Sequence, residues 1–465
     1  MENENVLHVA IFPWLAIGHL IPFTRLAINL ASKGLKVSII STPRNLVRIP
    51  KIPSHLSSSV NLVSCPLPHV DGLPENAEAS SDVLYHKQQL LKIAFDSLES
   101  PLGCFLRDSN PDWIIYDYAS HWLPRLAAGF GIPAVYFSLF TAAFLAFLGP
   151  TSVMLGGGDS RSSIEDFMRV PEWLPPESYL MFRYHEIRRA LDGAIGNESG
   201  TSDGVRFGIA IEESDVVFVR SSTELEPEWF DLLAKLYTKP IIPIGFLPPL
   251  MEDVEELSGD IKEWLDKQSL NSVVYVAFGT EANLSENDVR EIALGLEKSE
   301  IPFLWIMRTS PGNESEMLPA GFKERVKNRG KIHEGWISQV KILNHDSIGG
   351  FLTHCGWNSI IEGLGFGRVL ILFPVVNDQG LNARLLEEKK LGLEIERNER
   401  DGSFTSDSVS ESVRSAMVEN SGEALRKKAK EMKGLFGDRD RNNLELDKFV
   451  YFLQANRKGK SGVGK

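Results

Sequence analysis

Cysteine is scarce: Cys65, Cys104 and Cys355 are the only three in 465 residues, far apart and odd in number. They offer no disulfide framework and no metal-ligand spacing, as expected of thiols kept reduced in a cytosol. Positive charge is short as well. Lys and Arg number 49 against 62 Asp and Glu, a formal net charge of −13, and such a chain repels phosphates, which argues against a nucleic-acid partner. The opening Met-Glu-Asn-Glu-Asn is acidic, and the apolar run behind it breaks at Pro13. That is not a secretory leader. A cytoplasmic monomer is expected, with the sequons at Asn197, Asn283 and Asn313 unmodified. Long apolar runs are missing with one exception, the uncharged stretch from Gly131 to Pro150, about as long as a membrane span. It contains Pro133, Ser138 and Thr141 and opens like a strand over Ala134–Phe137. The reading is a buried strand running into an apolar helix.

What is present is alternation. Short apolar runs at Leu7–Phe12, Val37–Ser41, Asn61–Cys65, Trp113–Tyr116, Ala134–Phe137 and Val216–Val219 read as strands covered on both faces. Helical patterns such as Pro22–Ser32 and Leu84–Leu98 separate them. Around Pro240–Gly259 the pattern pauses in prolines and the acidic run 252–256, which reads as a linker. It resumes at Val273–Phe278, Phe303–Met307, Lys331–His333, Gly350–Thr353, Val369–Phe373 and Leu391–Ile395. Repeated β-α-β order predicts an α/β protein of two doubly wound, Rossmann-like domains. The boundaries read as 1–245, a linker at 246–259, 260–440, and a C-terminal helix from 441 that packs back on the first domain. Asp159–Ser163 and the Gly/Lys tail 458–465 read as mobile.

Chemistry concentrates between Trp336 and Gln379. Gly350–Thr353 reads as a strand, Gly356 as a tight turn and Asn358–Gly363 as the start of a helix. Such a unit aims backbone N–H groups and the positive helix end at one point, which suits a diphosphate. His354, Asn358 and Ser359 can add donors there, and Trp336 offers a flat face to a base. Glu362 can accept from ribose hydroxyls, while Asp378 and Gln379, in a turn after Val369–Phe373, can hold sugar hydroxyls. In the first half, His19 follows the first strand and Asp117 closes the fourth, both at the carboxyl edge where open α/β sheets bind ligands. A carboxylate on one ring nitrogen orients a histidine and makes it a better base.

This 44-residue segment resembles the signature box of plant UDP-sugar glycosyltransferases of secondary metabolism, and the resemblance extends over the chain, including Phe12-Pro-Trp-Leu-Ala-Ile-Gly-His19. It implies a GT-B architecture, two Rossmann-like domains facing across a cleft, with an acceptor-binding N-terminal domain and a UDP-sugar-binding C-terminal one. The reaction it implies is metal-independent and inverting. Carried over residue by residue, Trp336 stacks on uracil and the Ile337 backbone bonds its edge. Gln339 and Glu362 bind ribose, and His354, Asn358 and Ser359 bind the diphosphate. Trp357, Asp378 and Gln379 line the transferred sugar, with Thr280 near the phosphates and Thr141 near the donor sugar. His19 becomes the general base and Asp117 its partner. Two positions depart from the pattern: Ser338 replaces a usual proline, which should loosen the loop, and Ala277 replaces a frequent serine. The aromatics Phe144, Phe147, Trp173, Tyr179 and Phe182 fall where the family builds its acceptor pocket. The segments Phe12–His19 and 377–384 resemble the branch that extends sugar chains on flavonoid, saponin or diterpenoid glycosides. UDP-glucose is the expected donor and UDP-rhamnose the alternative, with an apolar or glycosylated small molecule as acceptor.

Other readings are weaker. A nucleotide-sugar binder without turnover would not need both His19 and Asp117. An NAD-dependent oxidoreductase would place Gly-x-Gly-x-x-Gly after the first strand, where Leu15-Ala-Ile-Gly-His stands. Gly200-Thr-Ser-Asp-Gly204 has the letters of a hydrolase nucleophile elbow but follows polar residues. Asp438-Arg-Asp440, the one Asp-x-Asp considered for a metal, lies in a charged helical region and reads as solvated surface.

Overall fold

The computed structural model describes residues 6–156, 161, 163–188, 198–249, 257, 259–282, 284–307 and 317–457. Two parallel sheets dominate it. The first contains β1 (His8–Phe12), β2 (Lys36–Ser41), β3 (Val60–Ser64), β4 (Trp113–Tyr116), β5 (Ala134–Ser138), β6 (Val216–Val219) and β7 (Ile241–Pro243), in the order β3-β2-β1-β4-β5-β6-β7. The second contains β8 (Val273–Ala277), β9 (Phe303–Met307), β10 (Gly330–Glu334), β11 (Ile348–Thr353), β12 (Val369–Leu372) and β13 (Gly392–Glu394), in the order β10-β9-β8-β11-β12-β13. Every strand pair is parallel. The central strands β4, β5, β6, β8 and β9 are buried along their whole length, which is why they read as unbroken apolar runs.

Both sheets are doubly wound, and each reverses its strand order once, between β1 and β4 and between β8 and β11. A crevice opens beyond the carboxyl ends at such a switch point. All twelve strands expected from the sequence are present within a residue or two of their predicted limits. β7 is the addition. It lies inside the proline-rich stretch read as a linker, and Pro243 is tolerated because β7 is an edge strand bonded only to β6. The helix expected from Pro22 starts earlier, at Ile17, with Pro22 inside it. The uncharged stretch resolves into β5 and the seven-residue helix Ala142–Leu148. Among the described residues no helix is long and apolar enough to cross a membrane.

The chain divides into two compact units. One comprises Met1–Ser160, Leu191–Leu247 and Asp440–Lys465; the other comprises Arg161–Ala190 and Pro248–Arg439. Residues 161–190 therefore belong to the second unit, although the sequence had assigned them to the first. The acidic run 252–256, most of the 159–163 loop, the tail 458–465 and the three sequon asparagines lie outside the described residues.

Candidate active site

In the first unit, β1 and β4 are neighbours with Phe12 opposite Tyr116, so whatever follows each strand meets at one edge. His19 stands in the first turn of the helix Ile17–Ser32 and Asp117 directly after β4. His19 Nδ1 lies 2.7 Å from Asp117 Oδ2, the side chains 17% and 1% exposed. The carboxylate also accepts from the Trp14 N–H at 3.2 Å and the Tyr118 N–H at 2.8 Å. An ionised carboxylate only accepts, so the proton of a neutral His19 sits on Nδ1 and the lone pair on Nε2. That is the tautomer a general base requires.

Aromatic rings surround this pair. Phe140 and Tyr118 stand 5.9 and 6.1 Å from the His19 ring. Tyr118 stacks on Phe207 at 4.2 Å, and Phe144 stacks on Phe140 at 4.7 Å. Tyr118 and Phe207 were not foreseen. Tyr118 could have been, since it follows Asp117 at the same strand end, whereas Phe207 comes from a distant helix, Asp203–Glu212, and carried no signal. Of the five aromatics expected to line an acceptor pocket, Phe144 joins this group. Phe147 is fully buried, and Trp173, Tyr179 and Phe182 belong to the second unit. Thr141 is 1% exposed and caps the helix Ala142–Leu148 by accepting from the Phe144 N–H at 3.0 Å, which leaves its hydroxyl proton to donate.

In the second unit, the loops after β8 and β11 meet at the other switch point. His354 is packed between two glycines: a Cβ on Gly279 would stand 2.6 Å from its Nε2, and one on Gly356 2.5 Å. The turn is made differently from expectation. Cys355 takes the left-handed conformation, with φ +66, whereas Gly356 is extended at φ −64. Gly356 is needed for room beside His354, not for its φ. Burial pushes the Cys355 thiol well above its ordinary range. The helix Trp357–Gly365 begins at Gly356 with no side chain capping it. Its opening N–H groups have no acceptor within the helix, and a terminus of this kind suits an anion.

Beside it, Gln339 donates its amide to Ser359 Oγ at 3.1 Å and to Glu362 Oε2 at 2.9 Å, so three expected residues form one polar group. Trp336, beyond the carboxyl end of β10, is 67% exposed, an open face for stacking, and Ile337 follows it half-buried. Ser338 has a local role here: its hydroxyl caps the helix Gln339–Asn344 by accepting from the Lys341 N–H. Thr280 follows β8, half-buried, and Asn358 stands half-buried in the first turn of its helix. The Trp357 ring is buried against Phe436. Gln379 Oε1 accepts from the Val375 and Val376 N–H groups at 2.9 and 3.0 Å, which turns its NH₂ to the remaining side as a donor. Asp378 accepts from Asn382 Nδ2 at 2.6 Å, and Asn382 also donates to the Cys355 carbonyl at 3.0 Å. The letters of the nucleophile elbow resolve into a helix cap: Ser202 accepts from the Val205 N–H.

A histidine held by a carboxylate at the switch point of one α/β unit, and a helix N-terminus at the switch point of another, are the parts that two-domain transferases with a nucleotide-activated donor combine. The family of UDP-glucoronosyl and UDP-glucosyl transferases matches residues 213–453. UDP-glycosyltransferase 91C1 of Arabidopsis thaliana is 58% identical, the alignment covering 98% of each chain. Soyasaponin III rhamnosyltransferase of Glycine max is 39% identical over 98% of this chain and 97% of its own length. Among solved structures, Phytolacca americana UGT2, complexed with UDP-2fluoro-glucose and pterostilbene, superposes with a TM-score of 0.72 at 27% identity, covering 97% of this chain and 99% of that one. The chain belongs to the plant family 1 UDP-glycosyltransferases, in the UGT91 branch: a metal-independent, inverting GT-B transferase that moves a sugar from a UDP-sugar to small plant metabolites.

Proposed function

We propose that this enzyme transfers glucose from UDP-glucose to a hydroxyl of a flavonoid or terpenoid glycoside, with His19 as the general base. The observation that carries the reading is the 2.7 Å contact between His19 Nδ1 and buried Asp117. Nε2 takes the proton of the acceptor hydroxyl as its oxygen attacks the anomeric carbon from the face opposite UDP. The bond to the UDP oxygen breaks, and configuration inverts. Asp117 steadies the imidazolium that forms. General-base assistance of this kind supplies on the order of 10²–10⁴ in rate. Charge building on the departing UDP is met by the opening amides of the helix Trp357–Gly365, with His354, Asn358, Ser359 and Thr280 beside them. Trp336 stacks on the uracil, the Ile337 backbone bonds its edge, and Gln339 and Glu362 hold the ribose. Thr141, Asp378 and the NH₂ of Gln379 contact the sugar, with the Trp357 backbone beside them. The wall of Tyr118, Phe140, Phe144 and Phe207 next to His19 supports a flat apolar acceptor.

A rhamnose donor is the second reading, favoured by the Glycine max relative, whose name is that of a rhamnosyltransferase. The test is turnover of one glycosylated flavonoid and one terpenoid glycoside with each donor at equal concentration. Faster transfer from UDP-glucose with an inverted anomeric centre is expected. Faster transfer from UDP-rhamnose would replace the donor assignment.

A further inference from the structure

Residues 161–190 come from the first half of the sequence yet fold with the second unit, and there they present Glu186 to the helix Gln379–Glu388. Arg384 of that helix donates through Nη2 to Glu186 Oε1 and through Nη1 to Glu394 Oε2, both at 2.6 Å. The Arg183 N–H donates to Glu186 Oε2 at 2.9 Å, and the Arg183 guanidinium pairs with Glu394. Glu186, Arg384 and Glu394 are all buried. Gly380, the second residue of the helix, leaves no room for a side chain, because a Cβ there would stand 2.5 Å from Glu186 Oε2. The carboxylate thus lies against the first turn, beside Gln379, where the helix dipole favours negative charge.

A buried ion network is weak support for stability, since apolar replacements are often as stable; what it supplies is a fixed geometry. We infer that Glu186 is a positioning residue for the transferred sugar: through Arg384 and Gly380 it sets the helix that carries Gln379 and follows Asp378. This rests on the proposed sugar contacts of those two residues. The uracil, ribose and diphosphate groups lie on other elements, around β10 and in the helix Trp357–Gly365. Loss of Glu186 therefore falls first on the sugar, and it reaches the turn at Cys355 through the Asn382 bond to the Cys355 carbonyl.

The test compares Glu186→Gln with wild type in UDP-glucose kinetics and in UDP calorimetry. The KM for UDP-glucose should rise about tenfold, the scale of a small misplacement transmitted to a binding group. The UDP Kd should change much less than that KM, and the acceptor KM should stay unchanged. Gly380→Ala, which displaces the same carboxylate with one methyl group, should act alike and serves if the charge variant does not fold. A folded variant with an unchanged KM for UDP-glucose, or with UDP affinity falling in step, overturns the inference. Gln379→Ala separates the two layers. If it leaves the KM for UDP-glucose unaltered, the sugar contact itself is wrong; if it raises that KM while Glu186→Gln does not, only the positioning role fails.

Discussion

Asp117 is 1% exposed and accepts from two backbone N–H groups besides His19, so it cannot swing away to suit another partner. Its position decides which imidazole nitrogen carries the proton. Asp117→Asn offers Nδ1 an amide that can donate, which shifts the lone pair away from Nε2. Transfer should fall about 10²–10⁴-fold while the UDP Kd from calorimetry stays unchanged; a fall below threefold would contradict the role. At this scale the sequence was informative where a residue follows a strand, as His19 follows β1 and Asp117 follows β4, because the connections beyond neighbouring parallel strands share one sheet edge. It was silent where placement depends on packing between distant helices, as for Phe207. It misled at Gly356, because the left-handed residue is Cys355, which is not a type that announces such a φ.

Elements carry these residues, and two of them rest on close contacts near their ends. The candidate phosphate turn needs bare backbone on both sides of His354. Gly356→Ala drives a methyl group to 2.5 Å from the ring nitrogen, so the imidazole must move. UDP affinity should weaken about tenfold or more, and a calorimetric Kd equal to wild type would contradict this. The helix Ala142–Leu148, which follows Phe140 and Thr141 and bears Phe144, is held at its start by Glu226, whose Oε1 accepts from the Ala143 N–H at 2.8 Å. Burial raises the Glu226 carboxyl from 4.5 to about 7, against hydrogen bonds that lower it. The folded state then holds this proton more tightly than the unfolded one. The associated stability is present below pH 4.5 and is lost as pH rises through about 7. Glu226→Gln removes that titration. The difference in melting temperature, variant minus wild type, should grow between pH 5 and pH 8; a difference constant with pH would contradict it. Strands were the legible elements because those buried on both faces are apolar throughout. β7 was missed because its proline, harmless on an edge, carries the signature of a linker.

Across the whole molecule, one topology is used twice, and the candidate catalytic pair and the candidate phosphate site each occupy a switch point. The alternation of strands and helices made this architecture readable. The membership of residues 161–190 was not, because it shows only in pairings between residues far apart in the chain, such as Glu186 with Arg384, 198 residues apart. The last helix, Arg439–Ala455, belongs almost entirely to the first unit. Phe449 packs edge-on against Phe218 of β6 at 4.3 Å, and Trp113 of β4 donates its indole N–H to the Leu453 carbonyl. Phe449→Ala should destabilise the first unit by about 3–5 kcal/mol in denaturant unfolding, whereas a loss under 1 kcal/mol would show that the helix contributes little to it.

The central claim is that His19 removes a proton, and acceptor acidity tests it most directly. In His19→Ala, transfer to a neutral aliphatic hydroxyl should be lost, whereas transfer to a nitrophenol already ionised at the assay pH should persist near the wild-type rate. Equal losses on both acceptors would mean that the imidazole does something other than accept that proton.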